Sequence, residues 1–164
     1  MDAAPSLAQA VRAKYPNLVT AAEELPAGPT VTVKREGARA LAASLKSDPE
    51  FRFNMLMDLF AVDYLHWEEK EFRYEVVYNL FSLEKNRRLF VKVLVPETDP
   101  SVDSVVPVWP AADWFERETW DMMGVTFRGH PNLKRILMYE SFEGHALRKD
   151  YRYNQRQPLI GPMN

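Results

Sequence analysis

The sequence of 164 residues contains no cysteine. This absence excludes disulfide bonds, a thiol nucleophile, iron–sulfur ligation by thiolates and cysteine zinc sites. Glycine is also sparse, with six in the whole chain, and no GxGxxG, P-loop or GxSxG motif occurs. The sequence therefore predicts neither a phosphate-binding glycine loop nor a nucleophile elbow.

Long apolar runs and a strong net charge are absent as well. No run approaches the roughly 18 apolar residues that a membrane span needs. The N-terminus lacks the basic start and apolar block of a secretory signal. A net charge of −2 gives no overall attraction to nucleic acid or to an acidic membrane. The composition, 46% hydrophobic and 27% charged, is that of a globular domain with its own core.

The N-terminal part predicts helices around one short strand. Ser6 can cap a helix that ends at Tyr15-Pro16, because the residue before proline avoids the helical conformation. The stretch LPAGP at 25–29 predicts a turn, and the β-branched residues 30–34 predict a strand. Residues 38–47, rich in helix formers, predict a second helix.

A third helix is predicted to follow directly, over residues 49–62. Pro49 would lie in its first turn, where the missing N–H costs nothing. Apolar residues then recur at helical spacing: Phe51, Met55, Leu59 and Val62. We therefore expect a well-buried helix here.

The middle of the chain predicts a β-hairpin. Residues 72–83 and 89–95 alternate between the two faces of a strand, and the polar segment 84–88 predicts the turn between them. Strands do not alternate regularly with helices, which disfavours a doubly wound parallel sheet. We expect an α+β fold: N-terminal helices packed on a small, mainly antiparallel sheet, followed by an irregular C-terminal region and an extended tail.

The C-terminal third carries the densest pattern. Residues 111–123 predict a helix with Gly124 as its C-cap, and Arg117 and Asp121 are spaced to form an i,i+4 ion pair. Short extended pieces are predicted at 125–127 and 135–139. From Gly144 onward the apolar content falls, so we predict a domain over 1–143 and an extended arm over 144–164.

Histidines and carboxylates near this helix raise the question of a metal or acid–base site. The three histidines, His66, His130 and His145, do not have the spacing of an HExxH ligand pair, and the last two are predicted to lie in Gly-His turns. Glu116 and Glu118 are two residues apart on a helix, so they point to different faces. We expect both to pair with Arg or Lys rather than to share a substrate.

Two features suggest a macromolecular partner. The segment 148–156 interleaves basic residues with tyrosine, which fits either a single-stranded nucleic acid or an acidic protein surface. The aromatic group Trp109, Trp114, Phe115 and Trp120 is expected to be partly core, and any exposed member would be an interface anchor.

The stretch ERETWDMMGVTFRGHPNLKRIL at 116–137 resembles the signature of the 30-kDa, or C-type, subunit family of respiratory complex I. DLFAVDY at 58–64 resembles the helix that precedes the hairpin in that family, and FEGHALRKDY at 142–151 resembles its closing motif. The likeness covers about Leu56 to Tyr151. The chain departs from the family at Ala146 and Arg152, where proline is usual, which leaves the path of the tail less defined.

The resemblance implies a cofactor-free subunit in the hydrophilic arm of the proton-pumping NADH:quinone oxidoreductase. It would dock on the large (49-kDa, D-type) subunit beside iron–sulfur subunits and support electron transfer to quinone. It would bind no metal and no nucleic acid, and would reach the cytoplasmic face of the bacterial inner membrane only through the complex. Arg148 and Lys149 would meet partner carboxylates. The expected signature and interface residues are Glu116, Arg117, Glu118, Asp121, Gly124, Gly129, His130, Pro131, Lys134, Arg135, Arg148, Lys149 and Asp150.

Two alternatives stay open on the sequence. The chain could be the homologous subunit of a membrane-bound hydrogenase or a ferredoxin-type dehydrogenase, since relatives of the family serve in such complexes. It could also be a stand-alone nucleic-acid-binding or hydrolytic domain.

Overall fold

The computed structural model describes residues 5–158. They form three α-helices, one short 3-10 turn and seven strands. The helices are α1 (Leu7–Lys14), α2 (Ala38–Ser47) and α3 (Ala112–Met123). The strands are β1 (Val19–Leu25), β2 (Gly28–Val33), β3 (Met55–Asp63), β4 (Tyr74–Ser82), β5 (Arg87–Val95), β6 (Ser101–Asp103) and β7 (Thr126–Arg128).

Five strands make the main sheet, in the order β1-β2-β5-β4-β3. The β2–β5 pair is parallel and the other three pairs are antiparallel. The predicted hairpin is β4–β5, whose register runs from Tyr74 opposite Val95 to Ser82 opposite Arg87. A small parallel pair, β6 with β7, joins the loop before α3 to the segment after it. The predicted α+β class is confirmed.

The core lies on one face of this sheet. Alternate residues of β4 and β5, such as Val76, Leu80 and Val93, are at most 1% exposed. Leu41 and Leu45 of α2 are fully buried in the same cluster, as the spacing of that helix predicts. On the opposite face Val77 is also buried, but Phe81 and Phe90 are only partly covered and Leu94 is exposed.

The predicted helix over 49–62 is wrong. Residues 49–54 form a turn and an extended connection, and Met55–Asp63 is the edge strand β3. A bulge between Leu56 and Asp58 shifts the strand's register. Both faces of this strand carry apolar side chains, so the period of two is hidden and the same residues also match a helical spacing. Residues 58–63 of the segment 58–64, which was compared above with a family helix, likewise belong to this strand.

Strand β1, helix α1 and the C-terminal arm complete the comparison with the predicted elements. Strand β1 was not predicted because VTAAEEL carries little alternating apolar character. It pairs with β2, and the turn between them occupies residues 26–27 of the turn predicted over 25–29. The short helix α1 begins as predicted, with Ser6 and Gln9 forming a reciprocal capping box. Residues 159–164 of the predicted arm lie outside the described residues, and the boundary at 143/144 stays a prediction.

Helix α3 begins one residue after its predicted start and ends at Met123, and Gly124 follows in the left-handed conformation with φ of 74°. After β7, the chain over 129–158 contains no further helix or strand. No helix within residues 5–158 is long and apolar enough to cross a membrane.

Candidate functional site

Asp121 organises the C-terminal region from the buried side of α3. Its carboxylate is fully buried and accepts hydrogen bonds from three consecutive backbone N–H groups, those of Ile136, Leu137 and Met138, at 2.9–3.0 Å. Its second oxygen lies 2.5 Å from Nη1 of Arg135. One side chain thus satisfies four donors of a segment that has no secondary structure of its own.

The charge of Asp121 is stabilised by these contacts. Burial raises the pKa of a carboxyl group, but the backbone N–H groups and Arg135 outweigh it and hold the pKa of Asp121 below its usual value. Arg135 reaches further with its other donors, since Nη2 binds the carbonyl oxygens of Phe142 and Gly144 at 2.7 and 3.0 Å. The ion pair therefore connects α3 to the start of the arm.

The arm closes the C-terminal end of α3. The last carbonyl groups of a helix have no partner within the helix. Here Asp121 O accepts from Nδ1 of His145 at 2.9 Å, Met122 O from the N–H of Leu147 at 3.0 Å, and Met123 O from Nε of Arg148 at 2.7 Å. A carbonyl oxygen can only accept, so Nδ1 of His145 carries the proton, and burial lowers the pKa of this ring. The positive charge of Arg148 also suits the helix C-terminus.

Gly124→Ala is expected to release the arm from the C-terminal end of α3. A Cβ atom at Gly124 would overlap the guanidinium of Arg148 and come within 2.6 Å of the His145 ring, and the positive φ adds strain. We expect a loss of roughly 2 kcal/mol or more in unfolding free energy. We also expect faster cleavage by trypsin after Arg148 and Lys149. Urea unfolding and timed proteolysis measure the two effects, and unchanged cleavage at these sites would refute the proposed packing.

A second group of charges ties the arm to the sheet. Arg73, 8% exposed at the start of β4, binds Asp63 at 3.2 Å, Glu97 at 2.5 Å and Asp150 at 2.8 Å. The buried Asp63 also accepts the backbone N–H of Lys149 at 2.9 Å. The arm is therefore joined to the end of β3 as well as to α3.

Glu116 is the other fully buried carboxyl group of α3. One oxygen accepts the backbone N–H of Val105 at 2.6 Å, and the other has no hydrogen-bond partner within residues 5–158. The hydroxyl of Tyr78 is also buried without a partner in that range. Burial raises the pKa of Glu116 to about 7, although the nearby Ser104 side chain and the N–H of Val105 act in the opposite direction.

Two predicted ion pairs of α3 do not form. Arg117 does not pair with Asp121. Its Nε and Nη2 instead donate to the carbonyl oxygens of Lys134 and Arg135 at 3.1 and 3.2 Å. The expected pairing of Glu116 with Arg or Lys is also wrong, because Glu116 is enclosed by α3 and the 104–105 turn and meets no cation between residues 5 and 158. Glu118 is exposed and has no cation partner in that range, so its expected pairing across an interface stays a prediction. The two side chains do point to different faces, as predicted.

The two Gly-His turns differ in what they bind. Nδ1 of His130 accepts the N–H of Asn132 at 3.0 Å, a local turn contact, while Nε2 donates to the carbonyl of Asp113 at 3.2 Å. Its neighbours Gly129 and Pro131 are exposed, and Gly129 takes a φ of 78°. His145 reaches back to α3 instead. Within the part of the chain that the structure describes, no group of three or more His, Asp or Glu could hold a metal ion.

An exposed aromatic surface remains on α3. Trp114 is 61% exposed, and the guanidinium of Arg117 lies over its ring at 5.2 Å. The carbonyl contacts of Arg117 fix this guanidinium in place beside the exposed Lys134. We refer to Trp114, Arg117 and Lys134 as the Trp114 patch. Exposed Trp beside Arg is the pair of residue types that dominates binding hot spots.

Sequence reasoning missed Arg73 and Asp63. Each stands at the end of a predicted apolar segment, and a charge in that position is a signal that a buried partner exists. The partners lie far apart in the chain, so spacing alone does not identify them. Of the two predicted partner contacts in the arm, Arg148 is bound to α3 and Tyr74, whereas the side chain of Lys149 is exposed and its role stays a prediction.

Curated relatives match most of this sequence. The C-type subunit of the NADH-quinone oxidoreductase of Geobacter metallireducens is 46% identical over 152 residues, which cover 93% of this chain and 88% of the relative. Its counterpart from Rhizobium johnstonii is 48% identical over 135 residues, covering 82% of this chain and 66% of the relative. The chain thus spans just under two thirds of the length of the Rhizobium relative.

Solved structures give the same fold. "Nqo5 of the trypsin-resistant fragment (1-134) in P63 form" is 35% identical with a TM-score of 0.65, covering 76% of this chain and 94% of that one. A chain of an archaeal membrane-bound sulfane sulfur reductase has a TM-score of 0.71 at 22% identity, covering 88% and 83%, and shows the fold alone. Residues 31–157 match the family described as "Respiratory-chain NADH dehydrogenase, 30 Kd subunit". The chain therefore belongs to the 30-kDa subunit family of the respiratory-chain NADH dehydrogenases.

Proposed function

We propose that the chain is a cofactor-free docking subunit of an NADH:quinone oxidoreductase. It binds the large, D-type subunit in the hydrophilic arm, beside iron–sulfur subunits, at the cytoplasmic face of the bacterial membrane. Its role in electron transfer from NADH to quinone is indirect, through assembly and positioning. The names of the curated relatives favour this complex over a hydrogenase or ferredoxin-type complex.

One observation carries the proposal: the buried charged residues of α3 bind other parts of this chain, while the exposed side of the helix presents Trp114. Asp121 and Arg135 hold the arm against the domain, and Glu116 is enclosed without access to a substrate. The same helix leaves Trp114 exposed and rigidly supported by Arg117. Such a surface suits a partner protein, because a fixed aromatic anchor loses little side-chain entropy on binding.

Co-elution with the large subunit tests the proposal. The purified chain and the large subunit from the same genome are mixed and separated by gel filtration. We expect a stoichiometric complex that elutes ahead of either protein. Separate elution at micromolar concentrations of both proteins would contradict the docking role.

Trp114→Ala is expected to weaken this complex by about thirtyfold or more, because truncation of a hot-spot Trp typically costs at least about 2 kcal/mol. Trp67→Ala is the matched control: Trp67 is 56% exposed on the loop between β3 and β4 and lies outside the Trp114 patch. Calorimetric titration of each variant with the large subunit gives the dissociation constants. Equal effects of the two substitutions on the dissociation constant would show that Trp114 does not lie in the interface.

A further inference from the structure

A groove of about 170 Å³ lies between the edge strand β3 and α3. Its apolar lining comes from both elements and from the arm, and includes Phe60, Met122, Met123 and Leu147. Leu147 is 58% exposed and Phe60 is 39% exposed, so apolar surface continues from the groove to its rim. The groove is therefore an open, largely apolar slot rather than part of the packed core.

Two carboxylates line the same groove without a counter-charge. Glu118 on α3 is exposed, and Asp58 on β3 is half-buried. No Lys, Arg or His between residues 5 and 158 comes within 4 Å of either carboxylate to form an ion pair. Two negative charges beside apolar surface are complementary to a cation that carries an apolar stem.

The backbone of β3 limits how a partner can enter. An edge strand normally offers free N–H and C=O groups to an added strand. At Leu59 both groups are already occupied, because the N–H donates to the Asp58 carboxylate at 2.8 Å and the C=O accepts from the Thr119 hydroxyl at 3.2 Å. This arrangement favours insertion of a side chain over addition of a strand.

We propose that the groove receives one lysine or arginine side chain of the large subunit. The aliphatic stem lies against Met122, Met123 and Leu147, whose flexible side chains adapt to it. The cationic head is held by Asp58 and Glu118. The inference rests on the proposed function, since it names a second contact of the same docking subunit and is continuous with α3, which carries the Trp114 patch.

The double variant Asp58→Asn/Glu118→Gln tests the proposal. It removes both charges and keeps the shape of the side chains, and the amide oxygen introduced at position 58 can still accept the N–H of Leu59. The matched control is Glu68→Gln/Glu69→Gln, which removes two exposed charges from the loop between β3 and β4. The large subunit is the probe, and affinity is measured by calorimetric titration at low and high salt.

We expect the groove variant to bind at least tenfold more weakly at low salt, and to lose part of the salt dependence of the wild-type chain. The control is expected to bind within twofold of wild type. Equal affinities and salt slopes for the groove variant and wild type would overturn the groove contact while leaving the docking role intact. A wild-type chain that does not bind the large subunit would instead refute the proposed function and, with it, this inference.

A photo-cross-linking amino acid in place of Leu147 gives an independent measurement. The variant is assembled with the large subunit and irradiated, and the linked peptide is identified by mass spectrometry. We expect a large-subunit peptide that contains Lys or Arg at or next to the linked position. Linkage only to this chain itself, or to peptides without a basic residue, would overturn the proposal. An unchanged unfolding midpoint shows that the variant is folded.

Discussion

Asp121→Ala is expected to lower the free energy of unfolding by about 3–5 kcal/mol, the usual cost of breaking a buried ion pair on one side. The substitution leaves Arg135 without its carboxylate and removes the acceptor for the N–H groups of residues 136–138. Because those groups belong to a segment without helix or strand, we expect the region 134–151 to open before the sheet does.

Urea unfolding and hydrogen exchange measure this effect. Exchange should accelerate most at the amides of residues 136–138, and Asp121→Asn should lie between Ala and wild type because it keeps an acceptor oxygen. Glu140→Ala is the matched control. It removes an exposed acid from the same region and is expected to change stability by less than about 0.5 kcal/mol. Uniform acceleration across β4 and β5 in Asp121→Ala would show that Asp121 stabilises the whole domain rather than this segment.

The second large effect is expected for Glu116→Gln, which should raise the free energy of unfolding at alkaline pH. Burial raises the pKa of this carboxyl group from 4.5 to about 7. A raised pKa means that folding favours the protonated form, so the stability associated with Glu116 is fully present below about pH 4.5 and is lost as the pH rises through about 7. Glu116→Gln keeps the shape and stays neutral, and its oxygen can still accept the N–H of Val105.

We therefore expect Glu116→Gln to be more stable than wild type by about 3 kcal/mol at pH 8.5, which is the free energy equivalent of that change in pKa. The difference should shrink toward zero as the pH falls to about 4.5. Denaturant unfolding of both proteins across this range isolates the contribution of Glu116, because the other titrating groups are common to both. Parallel stability curves for the two proteins would show that Glu116 does not titrate in this way.

The sequence predicted the elements whose periodicity is unambiguous. The β4–β5 hairpin has one apolar and one mixed face, so its alternation is visible, and α2 and α3 carry clear helical spacing with a glycine stop at 124. The prediction failed at strand β3, because the strand is apolar on both faces and contains a bulge, so its apolar residues match a helical spacing. The parallel β2–β5 pairing joins segments about sixty residues apart, and no local pattern encodes it.

The sequence identified residues of the candidate site but not the contacts that they make. Asp121, Arg135 and Arg148 were all singled out, yet local spacing assigned Asp121 to Arg117. The structure instead satisfies Asp121 through a turn fifteen residues downstream, because three backbone N–H groups there need an acceptor. Ion pairs between distant segments depend on the tertiary fold, and spacing rules cover only pairs within one helix.

The most direct test of the docking role compares assembly with turnover in cells that carry Trp114→Ala. The amount of assembled complex is measured by native gel electrophoresis, and NADH:quinone turnover is normalised to that amount. We expect fewer assembled complexes, each with the turnover of the wild-type complex. Normal amounts of a complex that has lost its turnover would contradict a purely structural role, and would show that this chain takes part directly in the reaction.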